Sequence, residues 1–299
     1  MNTLLLWAVF SWTLPSAGQV AEGWIALFDG ETTFGWTVSD GEWAVENGTL
    51  VGTGGAMVLN TRFPKATWTY EVNDGSGWKA FSFETEAVGK IVIRAWEGKR
   101  TAFRNIFLKP QGLKPLFHGE NLEGWNLYPE MPGRFTVDKA MRCIVVKDGP
   151  GMLESKESFG DFVLQVAAKT GAEHLNSGIF FRCIPGEKMN GYESQIHNGV
   201  KDGDRTQPLD AGTGAIFRRT VARYVPANDK EIFYKTIVAD GAHIAVWVNG
   251  LQVTDWTDTR KPNANPRRGL RLEPGTLMLQ AHDPTTDVYF YSLNIGEIR

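Results

Sequence analysis

The stretch IFYKTIVADGAHIAVWVNG (residues 232–250) decides the fold class. It contains two short runs of β-branched and aromatic residues, IFYKTIV (232–238) and HIAVWVNG (243–250), which favour β-strands. Asn249-Gly250 ends the second run, and this dipeptide is typical of tight hairpins whose turn residues need positive φ. The stretch therefore predicts consecutive antiparallel strands.

Comparable runs recur along the chain: FVLQVAAK (162–169), GIFFRCI (178–184), LMLQA (277–281) and VYFYSLNI (288–295). Asn47-Gly48 marks a second hairpin turn between such runs. Long apolar stripes of helical period, with capping residues, are missing from the sequence. Many short strands at this spacing predict an all-β fold, a two-sheet sandwich or jelly roll.

Composition narrows the function classes. The 299 residues include 42% hydrophobic and 22% charged residues, which is typical of a folded globular protein. Lys and Arg total 31 against 34 Asp and Glu, for a formal net charge of −3. Neither half of the chain carries the basic surface that binding to a phosphate backbone requires, so nucleic acid is not an expected partner.

The N-terminus has the pattern of a targeting segment. An apolar run, LLLWAVFSWTL (4–14), is followed by Pro15 and the small residues of 16–18. This pattern predicts a signal peptide over residues 1–20 and a secreted or periplasmic protein, with a buried N-terminal strand as the alternative. No stretch reaches the roughly 18 apolar residues of a transmembrane helix, so no membrane span is expected.

An internal repeat divides the chain. LFDGETTFGW (27–36) and LFHGENLEGW (116–125) are identical at six of ten positions and lie 89 residues apart. Two copies indicate duplication, since a solenoid needs at least three repeats. We predict a reduced β-sandwich unit over 23–112 and a full jelly-roll domain over 113–299.

The ends of the two units also resemble each other. TAFRNIFLK (101–109) is similar to DVYFYSLNI (287–295). The linker KPQGLKP (109–115) carries two prolines and a glycine, which is typical of a unit boundary.

The two cysteines, Cys143 and Cys183, each lie inside an apolar run. Export from the cytoplasm permits a disulfide between them. The alternative is two small buried hydrophobic residues. Neither belongs to a CxxC or Cys/His metal-binding pattern.

One predicted strand carries a polar face. In GYESQIHN (191–198) the alternation of strand side chains places Glu193, Gln195 and His197 on one side. An acid, an amide and an imidazole in a row form either a solvent-exposed surface or the floor of a polar groove.

A second strand mixes polar and aromatic residues. In NSGIFFRC (176–183), alternation places Asn176, Phe180 and Arg182 on one face and Cys183 on the core face. Such residues suit a site where a sugar ring stacks and its hydroxyls are hydrogen-bonded. The alternative is an arginine that runs along the sheet surface.

Two loops carry further candidates. LQAHDPTTD (279–287) runs from a strand into His282 and Asp283, which form either an active-site loop or a simple chain reversal. VKDGDRTQPLD (200–210) is rich in aspartate but lacks the final Glu and flanking helices of an EF-hand, so we predict a surface loop.

Taken together, these segments make the second unit similar to the 3-keto-disaccharide hydrolase family, whose fold is a concanavalin-like jelly roll. The similarity runs through ordered blocks: LFHGENLEGW, ESKESFGDFVLQV (154–166), NSGIFFR, GYESQIHN, TGAIF (213–217), WVNGLQVTDWTD (247–258) and LQAHDPTTDVYFYSLNI. The first unit shares the opening block and lacks the NSGIFFR and GYESQ segments. The resemblance implies hydrolysis of 3-keto-glycosides, with cleavage of the glycosidic bond by elimination and hydration.

The resemblance also implies roles for individual residues. Glu193 and His282 would act as base or acid, and Arg182 would polarise the ketone or enolate. Asp283 would either orient His282 or ligate a divalent cation. Substrate-binding roles fall to Asn176, Gln195, Phe180 and His197, the last of which stands where the family usually has Asp.

A second function is compatible with the same sequence. Jelly-roll sandwiches also serve as lectin-like modules that bind carbohydrate without catalysis. Either function predicts a carbohydrate as the partner.

Overall fold

The computed structural model describes residues 22–298, which form strands joined by turns and loops and contain no helix. The predicted all-β fold is confirmed. Among these residues no helix is present that could cross a membrane. The predicted signal peptide, residues 1–20, lies outside the described residues and stays a prediction.

Seven strands form the first sheet: β1 (Ile25–Ala26), β2 (Trp36–Glu46), β3 (Thr49–Phe63), β4 (Ala66–Asn73), β5 (Trp78–Thr85), β6 (Gly89–Arg94) and β7 (Arg100–Pro110). Their order is β2-β3-β7-β4-β5, with β1 paired to β7 and β6 paired to β3. The long strand β3 pairs with β7 over its first part and with β6 over its second part.

Fifteen further strands follow: β8 (Lys114–Pro115), β9 (Trp125–Leu127), β10 (Arg134–Asp138), β11 (Cys143–Lys147), β12 (Gly151–Phe159), β13 (Phe162–Thr170), β14 (Ser177–Cys183), β15 (Tyr192–Ile196), β16 (Val200–Lys201), β17 (Asp204–Pro208), β18 (Phe233–Asp240), β19 (His243–Val248), β20 (Leu251–Thr257), β21 (Gly275–Ala281) and β22 (Asp287–Glu297). An eight-stranded sheet runs β10-β11-β22-β13-β18-β19-β20, with β8 beside β22. A five-stranded sheet runs β15-β14-β21-β12-β9, and β16 with β17 forms a separate hairpin.

The eight-stranded sheet lies between the other two sheets, and strand β19 shows how. Ile244, Val246 and Val248 belong to the core shared with the five-stranded sheet. Ala245 and Trp247 belong to the core shared with the seven-stranded sheet. Both faces of this strand are buried, so it has no solvent-facing positions for polar residues. This explains why the strand is apolar almost throughout.

Specific contacts join the first unit to the back of the middle sheet. The indole Nε1 of Trp247 donates to the carbonyl oxygen of Ala26 at 3.0 Å. Arg62 forms an ion pair with Asp240, with Nε donating to Oδ2 at 2.7 Å. The outer face of the five-stranded sheet is therefore left clear of the first unit.

The two repeat sequences make the same contacts. Trp36 Nε1 donates to the carbonyl oxygen of Leu27 at 2.5 Å, and Trp125 Nε1 donates to that of Leu116 at 2.9 Å. Strands β1 and β8 pair in the antiparallel sense with β7 and β22, the last strand of each unit. The repeated sequence thus has a repeated structural role. Duplication and the unit boundary near residue 112 stay predictions.

The two predicted hairpin turns are confirmed. Asn249 and Gly250 have φ values of 47° and 81°, and Asn47 and Gly48 have values of 47° and 74°. Positive φ at both turn positions matches the twist of the flanking strands, and Asn and Gly tolerate it best.

The two cysteines are both buried, and neither forms a disulfide. They have the environment expected of small buried hydrophobic residues, so the disulfide alternative is wrong for this structure.

Candidate functional site

The outer face of the five-stranded sheet carries a polar groove of about 440 Å³. Ile179 and Leu279, paired across β14 and β21, point into the core. Their neighbours Gly178 and Gln280 therefore face outward, and Gly178 also pairs with Gln195 of β15. The groove is lined by Asn176, Lys188, Met189, Asn190, Glu193, Gln195, Phe217, Arg218, Arg267, Gln280 and His282.

Glu193 is the most buried charged group of the groove, with 5% of its surface exposed. Burial raises the pKa of its carboxyl, and the positive charges of Arg267 and His282 partly oppose that shift. Arg267 Nη2 donates to Oε2 of Glu193 at 3.1 Å. A carboxyl with a raised pKa in a cleft is a candidate for proton transfer near neutral pH.

Gly178 makes room for this carboxyl. A Cβ atom at Gly178 would lie 2.7 Å from Oε1 of Glu193 and 3.3 Å from Oε1 of Gln280. Both distances are shorter than an ordinary van der Waals contact, so a side chain at this position would displace the side chains of Glu193 and Gln280. The strand needs glycine at this position for space, since its φ lies outside the left-handed region.

Three amide side chains of the groove have carbonyl oxygens without a donor. These are Oδ1 of Asn176, Oε1 of Gln195 and Oε1 of Gln280, all buried and without a hydrogen-bond partner among the described residues. Buried acceptors normally find a donor, because an unsatisfied one costs about 1–3 kcal/mol. A ligand with several hydroxyl groups would supply the missing donors.

Asp210 contacts two of these amides from the loop that follows β17. Its Oδ2 accepts from Nε2 of Gln195 at 2.9 Å and also from Nδ2 of Asn176. The sequence predicted only a surface loop here, and Asp210 is indeed exposed. Its contacts nevertheless bring the loop to the edge of the groove.

The loop of His282 and Asp283 both lines the groove and reverses the chain, so it has features of both predicted alternatives. Asp283 Oδ2 lies 2.8 Å from Nδ1 of His282, whose imidazole lines the groove and is 41% exposed. Asp283 Oδ1 also accepts from the backbone N and the hydroxyl of Thr285, at 2.8 and 2.5 Å, as a turn-forming aspartate does. Hydrogen bonds from Thr285 and His282 hold the pKa of Asp283 below its usual value.

The donor set for a divalent cation is not met at this loop. Within residues 22–298 no three His, Cys, Asp or Glu side chains are grouped to hold a metal ion. Both carboxylate oxygens of Asp283 already accept hydrogen bonds. The described residues therefore do not fit the cation alternative, and Asp283 is placed to orient His282.

Arg182 lies outside the groove, so the strand alternation predicted for it is wrong. The pairing of β14 with β21 is irregular between Phe180 and Cys183, and Arg182 has a φ of 47°. This bulge turns its side chain away from the outer face. Its fully buried guanidinium contacts Asp161 Oδ1 at 2.6 Å and the carbonyl oxygens of Gly160, Gly241 and Arg271.

The same bulge changes the position of Cys183, which was expected in the core between the sheets. It instead clusters with Met152, Phe180 and Met278. Phe180 does face outward as predicted, but it is fully buried and the guanidinium carbon of Arg267 lies 5.2 Å from its ring centroid. Phe180 therefore supports Arg267 from below, and its ring is not open for a sugar to stack on.

His197 lies beyond the end of the groove. It is 8% exposed, and its Nδ1 accepts from the backbone N of Gly199 at 3.3 Å. Its ring meets that of His174 edge to face at a centroid distance of 6.1 Å. Burial lowers the pKa of His197. The structure thus brings together Asn176, Glu193, Gln195 and His282 and leaves His197 and Arg182 apart.

The sequence analysis did not single out Arg267 and Gln280, which line the groove, or Asp210, which contacts two of its amides. Gln280 had a usable signal, since alternation in LMLQA places it opposite the apolar Leu277 and Leu279. Arg267 comes from the irregular segment PNANPRRGL, where no periodicity relates a side chain to a sheet face.

A larger cavity, of about 930 Å³, lies where the linker meets the second unit. Its polar side chains include His118, Glu120, Glu123 and Glu157. None of its lining residues is among the described buried polar groups that lack a partner. The groove is therefore the stronger candidate for a ligand site.

Comparison with known proteins bears on both fold and family. Residues 112–295 match the model of the 3-keto-alpha-glucoside-1,2-lyase-like domain. A structure named "putative glycosyl hydrolase" from Parabacteroides distasonis superposes with a TM-score of 0.51 at 20% identity, covering 63% of this chain and 95% of that one. A carbohydrate-binding module from Bacillus subtilis gives a TM-score of 0.44 at 16% identity, covering 60% and 99%. No curated protein matches the chain.

Proposed function

The chain belongs to the 3-keto-alpha-glucoside-1,2-lyase-like domain family, and we propose that it cleaves the glycosidic bond of 3-keto-glycosides by elimination followed by hydration. The observation that carries the proposal is the convergence of Glu193, Arg267 and His282 on one groove with donor-free amide oxygens. The acid, the cation and the imidazole supply proton transfer and charge stabilisation. The amides supply sites for sugar hydroxyls.

The chemistry follows from the ketone. A carbonyl at C3 acidifies the proton on C2, and removal of that proton gives an enolate whose charge rests on the C3 oxygen. The electron pair then expels the aglycone from C1, and its oxygen takes up a proton to leave as an alcohol. Water adds across the resulting C1–C2 double bond, with hydroxyl at C1 and hydrogen at C2. The route differs from that of ordinary glycosidases, which use a pair of carboxylates.

A residue of the groove can be assigned to each step. Glu193 removes the C2 proton, because its raised pKa makes it a stronger base than an ordinary carboxylate. Arg267 stabilises the enolate oxygen, the role that the sequence had assigned to Arg182. His282, oriented by Asp283, protonates the departing oxygen and later activates water. Asn176 and Gln195 bind the ring hydroxyls.

The proposal is tested by incubating the protein with 3-keto-trehalose or a similar 3-keto-disaccharide and measuring the released sugar. We expect turnover by the wild type and a loss of about 10²-fold or more in kcat for Glu193→Gln and His282→Ala. Glu157→Gln is the matched control, because this exposed glutamate lies on β12 of the same sheet and outside the groove.

Two results contradict the proposal. Unchanged turnover in both variants would show that the groove is not the catalytic site. Retention on an immobilised glycan without any release of sugar would favour the lectin-like, non-catalytic function instead.

A further inference from the structure

We propose that Asp210 is a positioning residue that sets which edge of the sugar ring the groove accepts. This inference rests on the proposed function and deepens it. Through Asp210, the amides of Asn176 and Gln195 present carbonyl oxygens to the ligand. The groove therefore selects a ring edge that carries free hydroxyls.

The contacts define the direction of both amides. A carboxylate is only an acceptor, whereas an amide has a donor side and an acceptor side. Because Oδ2 of Asp210 accepts from the NH₂ groups of Asn176 and Gln195, their carbonyl oxygens face away from it. Both oxygens lack a donor among the described residues, as does Oε1 of Gln280. With a different partner at position 210, either amide could turn and offer NH₂ instead.

Asn176 depends on Asp210 more than Gln195 does. Nε2 of Gln195 also donates to the backbone carbonyl of Asp210 at 3.1 Å. A change of the side chain at position 210 leaves this backbone acceptor in place. The side-chain carboxylate is the one partner described for Nδ2 of Asn176 within residues 22–298. A test of the inference therefore acts on the pair formed by Asn176 and Asp210.

Gln195 and the cation lie at successive positions along the groove, because Gln195 pairs with Gly178 whereas Glu193 pairs with Phe180, over whose ring Arg267 lies. Hydroxyl groups can donate to the amide oxygens, whereas a ketone oxygen has no hydrogen to donate. The ketone is accordingly excluded from the amide oxygens and directed toward the guanidinium donors of Arg267, beside Glu193. Asp210 thus helps to place the reacting C2–C3 region near Glu193 without touching it.

Position 210 suits an aspartate for a second reason. Asp210 has a φ of 44°, and Ala211 and Gly212 follow with 68° and 78°. Asp and Asn tolerate this left-handed conformation better than most residues. An Asn at this position therefore changes the hydrogen-bonding pattern with little backbone strain.

The test exchanges the two residues. Asn176→Asp alone places two carboxylates in contact, and we expect KM for the 3-keto-disaccharide to rise about tenfold or more. In Asn176→Asp/Asp210→Asn, the new Asn donates to the new Asp, which can present only acceptor oxygens to the groove. We expect this double variant to return to within about threefold of the wild-type KM.

The matched control is Asp202→Asn, at an exposed hairpin position with a similar φ of 50°. We expect no change in KM. Thermal unfolding of each variant separates loss of folding from loss of recognition. If the double variant does not fold, Asp210→Gly is compared with Asp202→Gly instead. Glycine tolerates the φ value at both positions, and only Asp210→Gly removes the carboxylate that accepts from the two amides.

The dissociation constant of the unoxidised disaccharide provides a readout that needs no turnover. Recovery of binding in the double variant, in a protein that does not cleave the 3-keto-sugar, would support the role of Asp210 and overturn the proposed function. Cleavage by the wild type with no recovery, or with no effect of Asp210→Gly, would overturn the role of Asp210 alone. A protein that neither binds nor cleaves either sugar overturns both.

Discussion

Arg267 and Glu193, 74 residues apart in the chain, form an ion pair across the groove at 3.1 Å. The pair occupies Oε2 of the carboxylate and leaves Oε1 above Gly178. Arg267 thereby holds the carboxylate in one orientation, with its second oxygen over the sheet at Gly178. Such preorganisation is what a proton-transfer site requires.

The first prediction concerns pH. The pKa of Glu193 in the folded protein is raised above its ordinary value of 4.5. At pH values between 4.5 and this raised pKa, the native protein therefore binds more protons than the unfolded chain. Stability contributed by this group therefore falls as pH rises through that window and is lost above the native pKa. Urea unfolding should show wild type losing stability relative to Glu193→Gln as pH rises.

The activity should change in the opposite direction over the same window. As the base, Glu193 must be ionised, so kcat/KM should rise with pH. The midpoint of this rise should lie above the usual pKa range of a glutamate. A rate profile flat through this region would contradict the assignment of Glu193 as the base.

The second prediction concerns Gly178. A methyl group at Gly178→Ala would meet Oε1 of Glu193 at 2.7 Å, and we expect kcat/KM to fall at least about tenfold with a stability cost of about 1–3 kcal/mol. Gly160→Ala is the control, since its Cβ would meet its nearest neighbour, Cγ of Pro274, at an ordinary 3.5 Å. Equal activity of the two variants would show that space above Gly178 is not needed.

The third prediction separates the structural role of Arg182 from a catalytic one. Arg182→Met leaves Asp161 and three carbonyl oxygens without their buried donor, so we expect a loss of about 3–5 kcal/mol in the free energy of unfolding. The protein that remains folded should keep its kcat. Arg134→Met, which removes an exposed ion pair with Asp148, should cost less than about 1 kcal/mol.

A selective loss of kcat in Arg182→Met with unchanged stability would restore the catalytic role predicted from the sequence. Denaturant unfolding and initial rates measured on the same preparations distinguish the two results.

The fourth prediction concerns the junction of the two units. Trp247 is fully buried against the first unit, and its ring centroid lies 5.8 Å from that of Phe63. Trp247→Ala should destabilise the protein by about 3–5 kcal/mol. Trp96→Ala, at a position 52% exposed, should change stability by less than about 0.5 kcal/mol. Similar unfolding midpoints for the two variants would mean that the junction contributes little.

Local patterns in the sequence were sufficient for the fold class and part of the groove. Runs such as HIAVWVNG predicted strands, and Asn-Gly pairs predicted their turns, because both depend on the conformational preferences of neighbouring residues. Alternation also placed Glu193 and Gln195 on one face of β15. Whether that face was solvent or groove could not be decided locally, since it depends on which loops cover it.

The sequence by itself determined the strands, the turns and the repeated segment that opens each unit. The tertiary structure alone decided which charged groups meet. One residue in the left-handed region, Arg182, reverses the alternation of β14 and removes its own side chain from the groove. Arg267 enters from an irregular loop 74 residues from Glu193. Strand periodicity is a property of neighbours in the chain, whereas the site depends on a bulge and on long-range packing that periodicity does not encode.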